Sequence, residues 1–230
     1  MAELILALDL PRAADALALL ERVPRVQWVK LGPVLMTREG PGLIRTLLGR
    51  GLKVFLDLKW HDIPNTVTGA VTAAREMGVT MVTVHALGGR AMLDAAVVAA
   101  GGELDLIGVT VLTSFDAAGY SRAVGRTDVA LPQEVERLAV AAVESGLRGV
   151  VCAAKEVSLL RRRLGPEPYL VVPGIRGRSD PAADQSRVAT ARDAAGSGAT
   201  HLVVGRAVLQ AADPAAAVEA LLKEAQCIGS

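Results

Sequence analysis

Short apolar runs rich in Val, Leu and Ile recur along the whole chain. Eight of them lie at 4–8, 27–31, 53–58, 81–85, 105–112, 149–153, 169–173 and 201–205. Nearly continuous apolar runs are typical of strands in a parallel sheet whose faces are covered by helices. The pattern therefore predicts eight buried parallel strands.

The segments between these runs have the periodicity of amphipathic helices. The clearest lie at 12–23, 64–78, 89–100, 132–146 and 214–225, several with Pro near the first turn and Gly at the exit. Eight strand–helix units in 230 residues fit a (β/α)8 (TIM) barrel, and we predict a single domain over residues 1–230. An open, doubly wound sheet is the alternative, although no GxGxxG motif follows the first strand.

Charge and cysteine content narrow the range of partners. The chain has 25 Lys and Arg against 24 Asp and Glu, so we expect a small-molecule partner, with no nucleic acid and no membrane. Cys152 and Cys227 form no CxxC motif and the three histidines lack metal-binding spacing, which predicts no metal and a cytoplasmic location. We also expect neither a signal peptide nor a membrane span, because no basic leader or long apolar run is present.

Polar residues stand where the predicted strands end. They are Asp9, Lys30, Asp57, Lys59, His85, Thr113, the segment 173–176 and the pair Gly205 and Arg206. In a barrel of this type the active site is built at the carboxyl ends of the strands. The chain has only five lysines, and two of them are in this set. The strand ends are therefore the predicted site.

The third strand carries the densest charge, in the stretch VFLDLKWHDIPNTV at 54–67. Asp57 and Lys59 are two apart on a strand, so an ordinary surface ion pair would explain them alone. That explanation weakens once Lys30 and Asp62 are added. His85 is more often a structural hydrogen-bonding residue at such a position than a catalytic one.

The loops after the last two strands of such barrels frequently bind phosphate. Gly205 and Arg206 follow the last predicted strand, and a Gly-Arg pair supplies backbone N–H groups and a bidentate cation. An exposed turn is the alternative explanation of the pair. We favour a phosphate site.

The stretch FLDLKWHDIPNTV resembles the D-x-K-x-x-D-I-P-x-T signature of the orotidine 5'-phosphate decarboxylase family. Further segments resemble the family in the same order: LALDL, VKLG, VTVHALGG, VTVLTS, VVPGIR, DQSRVAT and VVGRAV. Two departures are Ala191, where many members have Pro, and the segment 114–132, which does not align clearly. The resemblance covers nearly the whole chain.

The resemblance implies decarboxylation of orotidine 5'-phosphate to UMP, the last step of de novo pyrimidine synthesis, without a cofactor. It implies a homodimer with shared active sites, in which Lys30, Asp57 and Lys59 alternate in charge with an Asp from the second subunit. Asp62 matches that residue. Lys59 would donate the proton to C6 of the pyrimidine, and Asp57 would lie against the departing carboxylate.

The resemblance also implies the contacts of the substrate. Asp9, Lys30 and Thr66 match residues that contact the ribose hydroxyls, Thr66 from the partner subunit, and Thr113 matches a residue that faces the base. The segment 176–185, together with Pro173, resembles a closing loop. The residues that would hold the phosphate are Arg176, Gln185, Gly205 and Arg206.

Three other functions are compatible with parts of this pattern. A sister enzyme resembling 3-keto-gulonate-phosphate decarboxylase, a sugar-phosphate decarboxylase or aldolase, binds Mg2+ through an acidic residue at the second strand, where this chain has Lys30. A ribulose-phosphate epimerase would need metal-binding histidines at strand ends, which are absent. A non-catalytic module could bind nucleotide phosphate alone, but a complete charged row is costly unless it is used.

Overall fold

A computed structural model describes residues 2–176 and 189–226. The eight predicted strands are all present, as β1 (Glu3–Ala7), β2 (Trp28–Leu31), β3 (Lys53–Trp60), β4 (Met81–His85), β5 (Asp105–Val109), β6 (Gly149–Val151), β7 (Tyr169–Arg176) and β9 (His201–Val204). A two-residue strand, β8 (Ala189–Thr190), pairs with the end of β7.

The sheet closes on itself. Strands β1 to β6 pair in chain order, β6 pairs with β7, β7 with β9, and β9 with β1, and every pairing is parallel. The prediction of a (β/α)8 barrel is therefore confirmed, and the open doubly wound sheet is wrong. All carboxyl ends of the strands lie on one rim.

Helices cover the outside of the barrel. They are α1 (Ala13–Arg22), α2 (Pro33–Glu39), α3 (Pro41–Gly49), α4 (Pro64–Glu76), α5 (Gly89–Ala100), α6 (Ala117–Val124), α7 (Leu131–Glu144), α8 (Val157–Leu164), α9 (Ala191–Gly196), α10 (Arg206–Leu209) and α11 (Pro214–Gln226). The five predicted helices correspond to α1, α4, α5, α7 and α11. Proline begins α2, α3 and α4, where its missing N–H group has no intrahelical partner to lose.

The two largest errors in the predicted strand bounds both affect the rim. β5 ends at Val109 and not at 112, so Thr113 lies on the loop beyond it. β7 continues through the segment 173–176, which we predicted to follow the strand. The strand continues because a register shift between Pro173 and Ile175 lets it pair with β9 and then β8, and Gly174 takes up the required positive φ of 76°.

The barrel interior is packed with apolar side chains. It contains Ile5, Ala7, Trp28, Phe55, Met81, Ile107, Val171 and Val203. At the amino ends of the strands, the His201 ring contacts Trp28 at 5.5 Å and Tyr169 at 4.6 Å between ring centroids. This end is closed by aromatic rings, so a ligand would enter from the opposite rim.

Across residues 2–176 and 189–226, none of the helices combines the length and apolar character needed to cross a membrane.

One buried carboxylate holds the 114–132 segment, which includes α6. Glu134 is 5% exposed and accepts hydrogen bonds from the Tyr120 hydroxyl at 3.1 Å and from Arg126 at 3.2 Å. Arg137 donates two more, at 2.8 and 3.0 Å. These donors, Arg137 first, lower the pKa of Glu134 to about 2 although burial opposes them. The segment is thereby fixed to α7.

We expect Glu134→Ala to lower the free energy of unfolding at pH 7 by about 2–4 kcal/mol, because the buried Tyr120 hydroxyl and two arginines lose their acceptor. The folded pKa lies below the ordinary value of 4.5, so the carboxylate's contribution is full above that pH and is lost as pH falls towards 2. Urea unfolding should therefore show a smaller difference between wild type and variant at pH 3 than at pH 7.

Glu136→Ala is the matched control on the same helix. Glu136 pairs with Arg163 at 3.0 Å on the surface, so its loss should cost less than about 1 kcal/mol. Equal losses in the two variants at pH 7 would contradict the role assigned to Glu134.

Candidate active site

Four charged side chains meet at the carboxyl ends of β1, β2 and β3. Lys30 Nζ lies 3.1 Å from Asp9 Oδ1 and 3.6 Å from Asp57 Oδ2. Lys59 Nζ lies 2.8 Å from Asp57 Oδ1. The charges thus alternate along a row, Asp9–Lys30–Asp57–Lys59. Lys30 and Asp57 are only 12% and 13% exposed, so each inner charge is buried between opposite charges that offset part of its desolvation.

A break in strand pairing shapes the Asp57–Lys59 pair. The register of β3 against β4 shifts between Leu56 and Trp60, and Lys59 has a left-handed φ of 52°. The N–H group of Lys59 donates to Thr83 Oγ1 at 2.8 Å, and the Thr83 hydroxyl donates to Asp57 Oδ1 at 3.0 Å. Thr83 was not among the residues predicted for the site. The signal was a polar residue two positions before His85 in an apolar strand.

His61 and His85 stack beside Lys59. Their ring centroids are 5.1 Å apart and their planes are inclined by 24°. Burial, with smaller contributions from His61 and Lys59, lowers the pKa of His85 to about 4, so the ring is neutral at pH 7. Its Nδ1 accepts from the Leu87 N–H group at 3.3 Å and caps the short 3-10 turn Ala86–Gly88. The structural role predicted for His85 fits this hydrogen bond.

A cavity of about 270 Å3 opens at this rim. Nine of the twelve residues predicted for the site line it: Asp9, Lys30, Asp57, Lys59, Thr113, Pro173, Arg176, Gly205 and Arg206. Its floor is the apolar barrel interior, including Phe55, Val171 and Val203. The arrangement combines an apolar floor with a few converging polar groups, which is typical of small-molecule sites.

The phosphate end of the predicted site is formed by two neighbouring strands. Arg176 ends β7, and Gly205 and Arg206 follow β9 directly, with Arg206 as the first residue of α10. Two guanidinium groups and a backbone turn therefore line the same cavity as the charged row. Guanidinium groups suit a phosphate because they donate two parallel hydrogen bonds.

Two of the predicted site residues that the structure describes, Asp62 and Thr66, are not in the cavity lining. Asp62 and Thr66 are exposed at the entry of α4, and Asp62 Oδ1 accepts from the N–H group of Ile63 at 2.6 Å in its own chain. The expected row of Lys30, Asp57, Lys59 and Asp62 therefore lacks its last member within one chain, and Asp9 occupies the other end. Gln185 lies outside the described residues.

In the part of the chain that the structure describes, no three or more His, Cys, Asp or Glu side chains form a group that could hold a metal ion. The two carboxylates at the site, Asp9 and Asp57, lie on either side of the Lys30 ammonium group. A cation between them already occupies the position that a divalent metal would need.

The fold and this rim define a (β/α)8 barrel with a charged, phosphate-compatible pocket at the carboxyl ends of its strands. The sequence profile of the Orotidine 5'-phosphate decarboxylase / HUMPS family matches residues 2–221, and the chain belongs to this family. It is 48% identical over 231 residues to the orotidine 5'-phosphate decarboxylase of Halorhodospira halophila, covering 98% of this chain and 97% of the relative.

Two further relatives belong to the same group of enzymes. The orotidine 5'-phosphate decarboxylase of Chromohalobacter salexigens is 50% identical over 229 residues, which cover 96% of this chain and 94% of the relative. The crystal structure of orotidine 5'-phosphate decarboxylase from Lactobacillus acidophilus superposes with a TM-score of 0.86 at 35% identity, covering 98% of this chain and 99% of that one. The similarity spans essentially the full length of each protein.

Proposed function

We propose that the protein converts orotidine 5'-phosphate to UMP and CO2, the last step of de novo pyrimidine synthesis. The observation that carries the proposal is the row Asp9–Lys30–Asp57–Lys59 along a cavity with two arginines. The family includes both orotidine 5'-phosphate decarboxylases and the HUMPS group, so membership alone does not identify the substrate. Relatives at 48% and 50% identity that are orotidine 5'-phosphate decarboxylases favour this substrate.

Lys59 is the proposed proton donor. When CO2 leaves C6 of the pyrimidine, the electron pair of the broken bond stays on that carbon. The Lys59 ammonium stabilises this charge and transfers a proton to C6, and solvent then restores the ammonium. Opposite charges 4 Å apart attract by about 4 kcal/mol at an effective dielectric of 20, so the row holds the ammonium in place before the reaction begins.

Asp57 has two proposed roles. Its contacts with Lys30 and Lys59 fix both ammonium groups, at 3.6 and 2.8 Å. Its charge would also lie against the substrate carboxylate and disfavour the bound ground state, which we rank as the smaller effect. Both roles need a carboxylate at this position.

The rest of the cavity would bind the parts of the substrate that do not react. Asp9 and Lys30 contact the ribose hydroxyls, Thr113 faces the base, and Arg176, Gly205 and Arg206 hold the phosphate. Their place in the cavity lining supports these assignments. The contribution of Gln185 and the closing of segment 176–185 with Pro173 stay predictions. Phosphate binding far from C6 can drive such closing and exclude water from the row.

The proposed active unit is a homodimer. Asp62 and Thr66 are exposed and absent from the cavity of their own chain, and Ile63 beside them is 66% exposed. An apolar side chain between two exposed site residues suits a surface that a second subunit covers. Asp62 would then extend the partner's charged row, and Thr66 would contact the ribose bound there.

The cytoplasm is the proposed location. Cys152 is a buried free thiol, as is common in a reducing compartment. Cys227 lies outside the described residues.

One assay separates the proposed reaction from its alternatives. The protein is incubated with orotidine 5'-phosphate in the presence of EDTA, and UMP formation is followed. UMP production supports the proposal. Binding without product would favour a non-catalytic nucleotide-phosphate module, and activity restricted to a sugar phosphate with Mg2+ would favour the sister decarboxylase.

We expect turnover to be independent of metal. The Lys30 ammonium lies between Asp9 and Asp57, the two carboxylates that could bind Mg2+. In the proposed reaction the Lys59 ammonium stabilises the charge at C6, so no electron-accepting cofactor is needed. Dialysis against EDTA should leave kcat within about twofold of its starting value. A large loss that Mg2+ restores would contradict this expectation.

A further inference from the structure

The Thr83 hydroxyl connects both members of the Asp57–Lys59 pair. Its oxygen accepts from the N–H group of Lys59 at 2.8 Å, and its proton goes to Asp57 Oδ1 at 3.0 Å. The same carboxylate oxygen accepts a hydrogen bond from Lys59 Nζ at 2.8 Å. Thr83 is fully buried and does not line the cavity, so it would act on the reaction only through these two neighbours.

Thr83 faces the point where β3 and β4 lose their register. Its neighbours pair regularly, Val82 with Leu56 and Val84 with Trp60, which leaves Thr83 opposite the irregular stretch Asp57–Lys59. Lys59 adopts a left-handed φ of 52° there, a conformation that a residue with a side chain rarely takes without support. The threonine hydroxyl supplies that support, because its oxygen accepts a hydrogen bond from the Lys59 N–H group at the irregular position.

We infer that Thr83 is a positioning residue for the proposed reaction, holding the Asp57 carboxylate and the Lys59 backbone in their reactive arrangement. This inference rests on the proposed roles of Asp57 and Lys59. A hydroxyl can donate and accept at the same time, whereas the valine side chain of similar shape can do neither. Serine retains the hydroxyl and should preserve the function.

The test compares steady-state kinetics of Thr83→Val and Thr83→Ser. We expect Thr83→Val to lower kcat by about 10- to 100-fold, because a hydrogen bond to a charged group is lost. KM and the affinity for UMP should stay within about threefold, since Thr83 does not line the cavity. Thr83→Ser should keep kcat within about threefold of wild type.

Thr110→Val is the matched control. Thr110 is equally buried, and its hydroxyl donates to the Val151 carbonyl at 2.9 Å, a hydrogen bond that involves no member of the charged row. The Thr110→Val variant loses one buried hydrogen bond but should retain the wild-type kcat. If Thr110→Val lowers kcat as much as Thr83→Val does, the effect is structural and the inference fails.

A further variant, Thr83→Ala, keeps the inference testable if Thr83→Val does not fold. Thr83→Ala and Thr83→Ser differ only in the hydroxyl, so the alanine variant should have a kcat at least about tenfold lower. Equal kcat values for the two, or a change in KM alone, would overturn the inference. Lys59→Ala is assayed beside them. If Lys59→Ala is inactive while Thr83→Val has the wild-type kcat, only the role of Thr83 is wrong. If Lys59→Ala is active, the proposed mechanism fails as well.

Discussion

Lys59→Ala is expected to lower kcat by about a thousandfold or more while the protein still binds UMP. The expectation follows from the position of the ammonium group, 2.8 Å from Asp57 and in the cavity wall. It acts on charge that appears at C6 only during the reaction, so its removal raises the barrier more than it weakens binding. Steady-state kinetics with orotidine 5'-phosphate and calorimetric titration with UMP measure the two effects separately.

Two variants serve as controls for this result. Arg206→Ala should raise KM strongly and lower kcat/KM, because its guanidinium would hold a phosphate that is charged throughout the reaction. Lys223→Ala removes an exposed lysine of α11 outside the cavity lining and should change neither constant. A kcat of Lys59→Ala near the wild-type value would show that another group protonates C6.

The barrel could be predicted because its strands are buried on both faces. Such strands are apolar throughout, so each of the eight is visible as a run of Val, Leu and Ile, and Pro marks the start of helices such as α4. The ends of β5 and β7 could not be predicted in the same way. β7 continues past Pro173 only because β8 and β9 offer partners there, and pairing between distant segments leaves no local signal.

Much of the site could be predicted for a related reason. In a closed parallel barrel all strand ends share one rim, so Asp9, Lys30, Asp57 and Lys59 had to be near one another once the fold was known. The role of Thr83 depends on the register shift in β3, which no residue pattern reveals. Glu134 was not predicted because two of its donors, Tyr120 and Arg126, lie outside its helix and reach it only in the folded segment.

Asp62 is different, since its proposed partner is in another chain. It lies beyond the end of β3, before α4, with its carboxylate exposed and accepting a hydrogen bond from the N–H group of the adjacent Ile63. Under the shared-site proposal, the row of a single chain lacks Asp62 and is incomplete. Whether the row is completed by a second subunit can be decided by mixing variants.

Lys59→Ala and Asp62→Ala homodimers should each be nearly inactive, because every site in them lacks one member of the row. Random subunit exchange makes about half of the dimers mixed, and each mixed dimer has one site with both substitutions and one with neither. Activity should therefore recover to about a quarter of the wild-type value. Native mass spectrometry of the mixture verifies that exchange has occurred.

The matched control is a mixture of Lys59→Ala with Lys30→Ala. Both lysines contact Asp57 of their own chain, so they belong to the same subunit's site, and no mixed dimer can contain an intact one. This mixture should stay as inactive as its parents, which separates shared-site recovery from any general effect of mixing. If exchange is verified and the Lys59→Ala and Asp62→Ala mixture also stays inactive, Asp62 serves its own chain and the shared-site proposal is wrong.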